Sequence, residues 1–119
     1  MKKLLPLFMF ALLAFAGCQP EKAVYQESSN PKTVIRNCDK FVNCAIRNSK
    51  NYDAKDWSAT IDEFFRMCKN YKSVEDQLPD KDKERFRIDL NKFMKVVDAT
   101  GNADMAFDIK KRFAKVMEI

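Results

Sequence analysis

Residues 51–74 read NYDAKDWSATIDEFFRMCKNYKSV, and the start of this stretch specifies a helix in several ways at once. With Asp53 as N-cap, Asp56 falls at the third helical position, where its carboxylate can return a hydrogen bond to the cap. Tyr52 then precedes the cap and Trp57 follows it at the distance of a hydrophobic staple. Both carboxylates also sit at the positive end of the helix dipole. From there Trp57, Ile61, Phe64, Phe65, Cys68 and Tyr71 recur at helical spacing and predict one apolar face on a helix from about Ala54 to Val74.

Three more segments flank it. Upstream, Asn30 is suited to an N-cap and Pro31 to the first helical position. Val34, Ile35, Cys38, Phe41, Val42 and Ala45 make the stripe of a helix from about Pro31 to Asn51. Downstream, Leu78-Pro79-Asp80 opens a helix reaching about Ala99, with Phe86, Leu90, Phe93, Met94 and Val97 on its stripe. Its cap can be read two ways, with Pro79 at the first helical position or with Asp80 as N-cap. Gly101-Asn102 supplies a stop, Gly101 suiting the left-handed position after a helix. The last helix runs from about Ala103 to Met117 and presents Met105, Ala106, Ile109, Phe113, Val116 and Met117. Phe107 falls off that face.

No segment alternates with period two, and glycine occurs only at Gly17 and Gly101. Short connections imply antiparallel neighbours. The expected fold is all-α: a small antiparallel up-and-down bundle of three helices with a fourth packed on it. Of ten phenylalanines, Phe8, Phe10 and Phe15 precede the helical region, and the others supply an aromatic core.

The first residues have a different character. Met1-Lys2-Lys3 is basic, Leu4 to Phe15 is an apolar run containing Pro6, and Ala16-Gly17 are small. This is the layout of a secretory signal peptide. The run is shorter than the roughly 17–25 residues that cross a membrane. Phe15-Ala16-Gly17-Cys18 resembles the bacterial lipobox, with Phe15 where leucine is usual. The resemblance implies that the Cys18 thiol receives a diacylglyceryl group, that cleavage falls before Cys18, and that the new amine is acylated (palmitate is a usual chain). Several acyl chains, at about 0.8 kcal/mol per buried methylene, make a durable anchor.

The expected division is thus a lipoprotein signal peptide over 1–17, the lipidated Cys18 with a flexible polar tether over 18–30, and a helical bundle over 31–119. A tether of that length spans on the order of 20 Å. Loss of Lys2 and Lys3 removes two charges from a formal net charge of +5 and leaves +3. That is too weak a balance to argue for nucleic acid.

Phe41-Val42, the run from Asn51 to Trp57, Tyr71, and Leu78 to Asp82 together resemble a group of small helical lipoproteins of Bacteroides-type gut bacteria, classed as a domain of unknown function. The likeness covers about half the chain and centres on Tyr52, Asp56 and Trp57. It implies the same helical fold and an envelope location, and carries no site, because these residues are caps and core positions.

Catalytic chemistry has little to stand on. The chain has no histidine, so the commonest general base is missing. There is no glycine-rich phosphate loop, nucleophile elbow or metal-ligand spacing. Asp62-Glu63 and Asp80 with Asp82 are the only acid pairs to consider, and on helices such residues form a solvated face. No cofactor or metal is expected. Apart from Cys18, the cysteines are Cys38, Cys44 and Cys68. Cys38 and Cys44 are about 9 Å apart along one helix, too far to bridge. If the first two helices turn back between Asp53 and Ala54, Cys38 lies level with about Lys69 and faces Cys68. Two readings stand: a Cys38–Cys68 disulfide, or two buried thiols acting as small hydrophobes. Packed helix axes, about 8–10 Å apart, would have to close for a bridge that needs Cα atoms within about 7 Å.

Basic residues gather on the third helix and at Lys110-Lys111-Arg112 and Lys115. Interleaved acids favour a solvated face over a lipid- or polymer-binding one. The expected function is a non-enzymatic, lipid-anchored envelope module for another envelope protein or a polymer. The alternative is an inhibitor or immunity-type lipoprotein that blocks an incoming enzyme; an enzyme comes third. Gln19, where aspartate signals inner-membrane retention in some bacteria, points to the outer membrane, and a single acid in Gln19-Pro20-Glu21-Lys22 points to its periplasmic face.

Overall fold

Asn30 starts the first helix by accepting a hydrogen bond from the Thr33 amide on its side-chain oxygen at 3.2 Å, with Pro31 inside the first turn. The computed structural model describes residues 23–118. In it α1 spans Pro31–Asn48, α2 Ala54–Val74, α3 Asp80–Ala99 and α4 Ala103–Glu118. Single 3-10 turns, Ser49–Asn51 and Glu75–Gln77, join α1 to α2 and α2 to α3.

The capping box at the start of α2 is formed in both directions. The Asp56 amide donates to Asp53 Oδ1 at 2.8 Å and the Asp53 amide to Asp56 Oδ2 at 3.1 Å. The Tyr52 and Trp57 rings meet edge to face, 5.4 Å between centroids, completing the staple. At α3 both expected caps give way to a third arrangement: Pro79 itself is the cap, without a side-chain hydrogen bond, and Asp80 is the first helical residue. The Pro79 carbonyl accepts from the Asp82 and Lys83 amides, and proline's fixed φ suits the extended cap conformation. After α3 the chain reverses at Gly101, whose φ of 75° is the only positive value among the described residues. Asn102 then caps α4 through its side-chain oxygen, 3.0 Å from the Met105 amide.

The fold is an all-α bundle. The backbones of α1 and α3 approach each other most extensively, α4 lies on α2, and α2 meets α3 through side chains more than through backbone. The reason is the size of the residues between them. Phe64 of α2 stacks on Phe93 of α3 with centroids 4.3 Å apart, and Tyr71 stacks on Phe86 at 3.6 Å. Phe93 also touches Trp57 and Phe41, so one ring of α3 meets aromatic residues of both α1 and α2. Such pairs add about 0.5–1.5 kcal/mol each beyond the burial of their area.

Every stripe residue predicted for α1 and α2 is buried. On α3 Phe86, Phe93 and Val97 are buried, while Leu90 and Met94 are half-buried at the core's edge. α4 buries only Ala106 and Ile109 fully, with Met105, Phe113, Val116 and Met117 packed from the rim.

One boundary differs from expectation. The tether expected over 18–30 is not free where the structure describes it. Ala23 and Tyr25 are each only 1 % exposed and belong to the core, while Val24 between them is 61 % exposed. Residues 23–28 thus form an extended arm laid along the bundle. It carries no helical period because it alternates in, out, in.

Trp57 joins the cap of α2 to the ring cluster. Trp57→Ala should destabilise the domain by about 3–5 kcal/mol. Thermal unfolding of the protein checks this; a midpoint within a degree or two of wild type would contradict a buried anchoring ring.

Candidate functional site

The docked arm is the most heavily bonded feature outside the helices. The Tyr25 amide donates to Glu63 Oε1 at 2.9 Å and its hydroxyl to Asn70 Oδ1 at 2.6 Å. Asn70 also holds the backbone of Ser28 from both sides, accepting from its amide at 3.1 Å and donating to its carbonyl at 2.9 Å. From α1, Asn37 donates to the Gln26 carbonyl at 2.9 Å. Arg66 grips Glu27 Oε2 with Nε and Nη2, at 3.0 and 2.9 Å, while its Nη1 reaches Glu63 at 2.6 Å. The Tyr25 ring lies edge-on to Phe41, centroids 6.3 Å apart. Burial pushes the Tyr25 phenol well above its ordinary pKa, so it stays a neutral donor.

Beneath the arm lie the thiols. Cys38 and Cys68 are completely buried, and the charge of Cys38 acts on Cys68 across the α1–α2 contact. They are free thiols in the structure, which shows the unbridged one of the two readings. Burial pushes Cys38 up to about 12, partly countered by its hydrogen bond to Tyr25, and pushes Cys68 higher still. The reading that holds is the small hydrophobe. Cys44 is half-buried beside Asn48, whose amide reaches its carbonyl at 2.9 Å and its sulfur at 3.6 Å.

The acid pairs expected on helix faces are engaged elsewhere. Asp62 lies 3.9 Å from Arg112, Glu63 belongs to the arm, and Asp80 and Asp82 sit in the first turn of α3, with Asp82 buried. Sequence reasoning missed a different pair. Asp89 of α3 is 4 % exposed, and its Oδ2 has no hydrogen-bond partner among the described residues. Beside it on α1 is Asp39, which is ion-paired with Arg85. Burial, followed by the hydrogen bond and charge of Asp39, raises Asp89 from 3.8 to about 7, with Lys92 and Arg85 acting against the rise. Against Asp39 across the α1–α3 contact, the Asp89 carboxyl therefore keeps its proton to higher pH than a free aspartate does. Such a pair can store a proton. Its burial in a helix interface gives a substrate no approach. The only cue in the sequence is that Asp89 lies three residues from Phe86 and four from Phe93, inside the stripe.

The basic residues differ in what they engage. On α4, Lys110 lies 3.8 Å from Asp98, and Arg112 reaches Asp62 and Asp108 while its guanidinium caps the Phe65 ring at 4.3 Å. These are structural engagements. Arg47, Lys50, Lys55 and Lys95 make no ion pair with any described residue. No group of three or more metal-binding side chains occurs among the described residues. Cys18 lies outside them.

The Asp89 carboxyl gives the fold a pH dependence of definite sign. Its folded pKa is raised, so the folded state holds a proton that the unfolded chain has lost. Its contribution is complete below about 3.8 and falls as pH rises towards about 7, the unfolded state binding fewer protons throughout. Asp89→Asn keeps the shape and gives Asp39 a permanent donor. At pH 8 the variant should be more stable than wild type by about 1–3 kcal/mol, the usual cost of an unsatisfied buried polar group. Melting curves across pH check this: the gap should close below about pH 5, and a constant gap would contradict the proton held by Asp89.

No family model, no curated protein and no solved structure matches the chain.

Proposed function

We propose that the chain is the precursor of a bacterial lipoprotein, cut before Cys18 and lipid-anchored there, whose bundle is a non-enzymatic binding module for another envelope protein or a polymer. The observation that carries the reading is Phe15-Ala16-Gly17-Cys18 directly after the basic start and the apolar run Leu4 to Phe15. None of the described helices is long and apolar enough to cross a membrane; in this reading the acyl chains supply the attachment. Gln19 supports the outer membrane as the destination, and the likeness to small helical lipoproteins of Bacteroides-type bacteria supports an envelope role.

A binding role also gives Phe107 a use. It is 69 % exposed on the outer side of α4, where its burial contributes nothing to the bundle. Aromatic residues, phenylalanine among them, are enriched at the cores of protein interfaces relative to the rest of the surface.

Two experiments test the proposal. Cys18→Ser should abolish lipidation, read as loss of partition into detergent phase and as an unmodified N-terminal mass; a wild type cleaved at another bond would refute it. In intact cells, crosslinking followed by recovery through a C-terminal tag should capture a partner. Phe107→Ala should lower that recovery about tenfold without changing the melting temperature, the signature of a hot spot rather than of a core residue. Unchanged recovery would remove Phe107 from the interface.

A further inference from the structure

We infer that the end of the bundle formed by the α1–α2 turn and the end of α3 is a membrane-facing surface that rests on anionic phospholipid headgroups. The inference rests on lipidation at Cys18 and adds the orientation in which the anchor holds the domain.

The first argument is reach. The Tyr25 amide is bonded to Glu63, about 14 Å along α2 from Ala54 at 1.5 Å per residue. The arm runs back from there towards the start of α2, and the backbone of Ala23 is hydrogen-bonded to the Tyr52 hydroxyl in the α1–α2 turn. The two extended residues recover about 7 Å. From Ala23 to Cys18 the chain spans at most about 17 Å. The anchored cysteine can therefore lie no more than about 10 Å beyond the α1–α2 turn, even at full stretch. At full stretch that distance slightly exceeds the Debye length of about 8 Å at physiological salt; at any shorter extension the charges at this end come within it and act on the headgroups.

The second argument is the surface itself. A shallow groove of about 560 Å³ opens at this end, floored by Ile46, Tyr52, Trp57, Val96 and Ala99 and flanked by Lys50 and Lys95. Arg47, Lys50 and Lys95 are exposed and, unlike Lys110 and Arg112 of α4, make no ion pair with a described residue, while Lys55 acts on Asp53. The acids nearby are occupied: Asp53 and Asp56 in the capping box and Asp98 with Lys110, leaving Asp104 in the first turn of α4. An apolar floor flanked by Lys50 and Lys95 matches the interface of an anionic bilayer, where each basic residue near the surface contributes about fivefold in attraction.

Trp57 is the chain's single tryptophan and lines this groove, so it reports the geometry directly. Lipidated full-length protein would be reconstituted into vesicles of phosphatidylethanolamine and phosphatidylglycerol carrying a trace of dansyl-labelled headgroup. Energy transfer from Trp57 to dansyl should be strong. It should fall at least about twofold in K50E/K95E, in about 1 M salt where the Debye length is about 3 Å, and in vesicles of phosphatidylcholine alone. It should also fall when a Gly/Ser spacer of about twelve residues is inserted between Lys22 and Ala23, which lengthens the reach and leaves the bundle's sequence intact. Circular dichroism confirms that each variant is folded. Strong transfer that ignores charge, salt and spacer would overturn the inference, as would weak transfer in the wild type. The N-terminal mass of the same sample separates the two failures. An unlipidated wild type defeats the anchoring proposal and this orientation with it, whereas a lipidated one with weak or charge-independent transfer defeats the orientation alone.

Discussion

The Phe93 ring is the contact on which the rest of the structure depends. It stacks on Phe64 and meets Trp57 and Phe41 within 6.3 Å, so α1, α2 and α3 share one aromatic centre. Stacked rings need a definite separation and tilt, which sets how α3 stands from α2 and leaves it free to lie close along α1. The capping box at Asp53 places Trp57 in the same cluster, so the local signal that starts α2 and the tertiary contact that orients it are made by neighbouring residues.

Two features are laid over this frame. The arm from Ala23 to Ser28 fills the surface above α1 and α2, with Tyr25 reaching in to Cys38 and Asn70. Its Tyr25 lies against the Cys38 thiol. The Asp39–Asp89 contact, in the α1–α3 interface, is less favourable: one carboxyl must be neutral, or an uncompensated charge sits in a dry interface. Arg85 answers Asp39 and leaves Asp89 to carry the proton.

Most of the fold was legible in the sequence because its signals are local. The N-caps at Asn30 and Asp53, the staple of Tyr52 with Trp57, the stop at Gly101 and the stripes of α1 and α2 each depend on residues within a few positions of one another, and each is found in place. The stripes of α3 and α4 were legible in position but not in depth. Leu90, Met94, Phe113 and Val116 sit at the rim, because how far a stripe residue is buried depends on which neighbour faces it. The candidate anchor at Cys18 is likewise a short linear pattern.

What only the tertiary structure decided involves partners far apart in the chain. Tyr25 bonds Asn70 across 45 residues, so a polar stretch that reads as tether becomes part of the core. Cys38 and Cys68 face one interior, where they lie buried and unbridged. Asp89 reads as an ordinary helix acid until α1 brings Asp39 against it. The sequence by itself determined where helices start, stop and turn their apolar faces, since those preferences are set by hydrogen bonds and spacing within a turn or two. Which polar groups end up against which others was decided by packing, because burial and long-range contact exist only once the helices have come together.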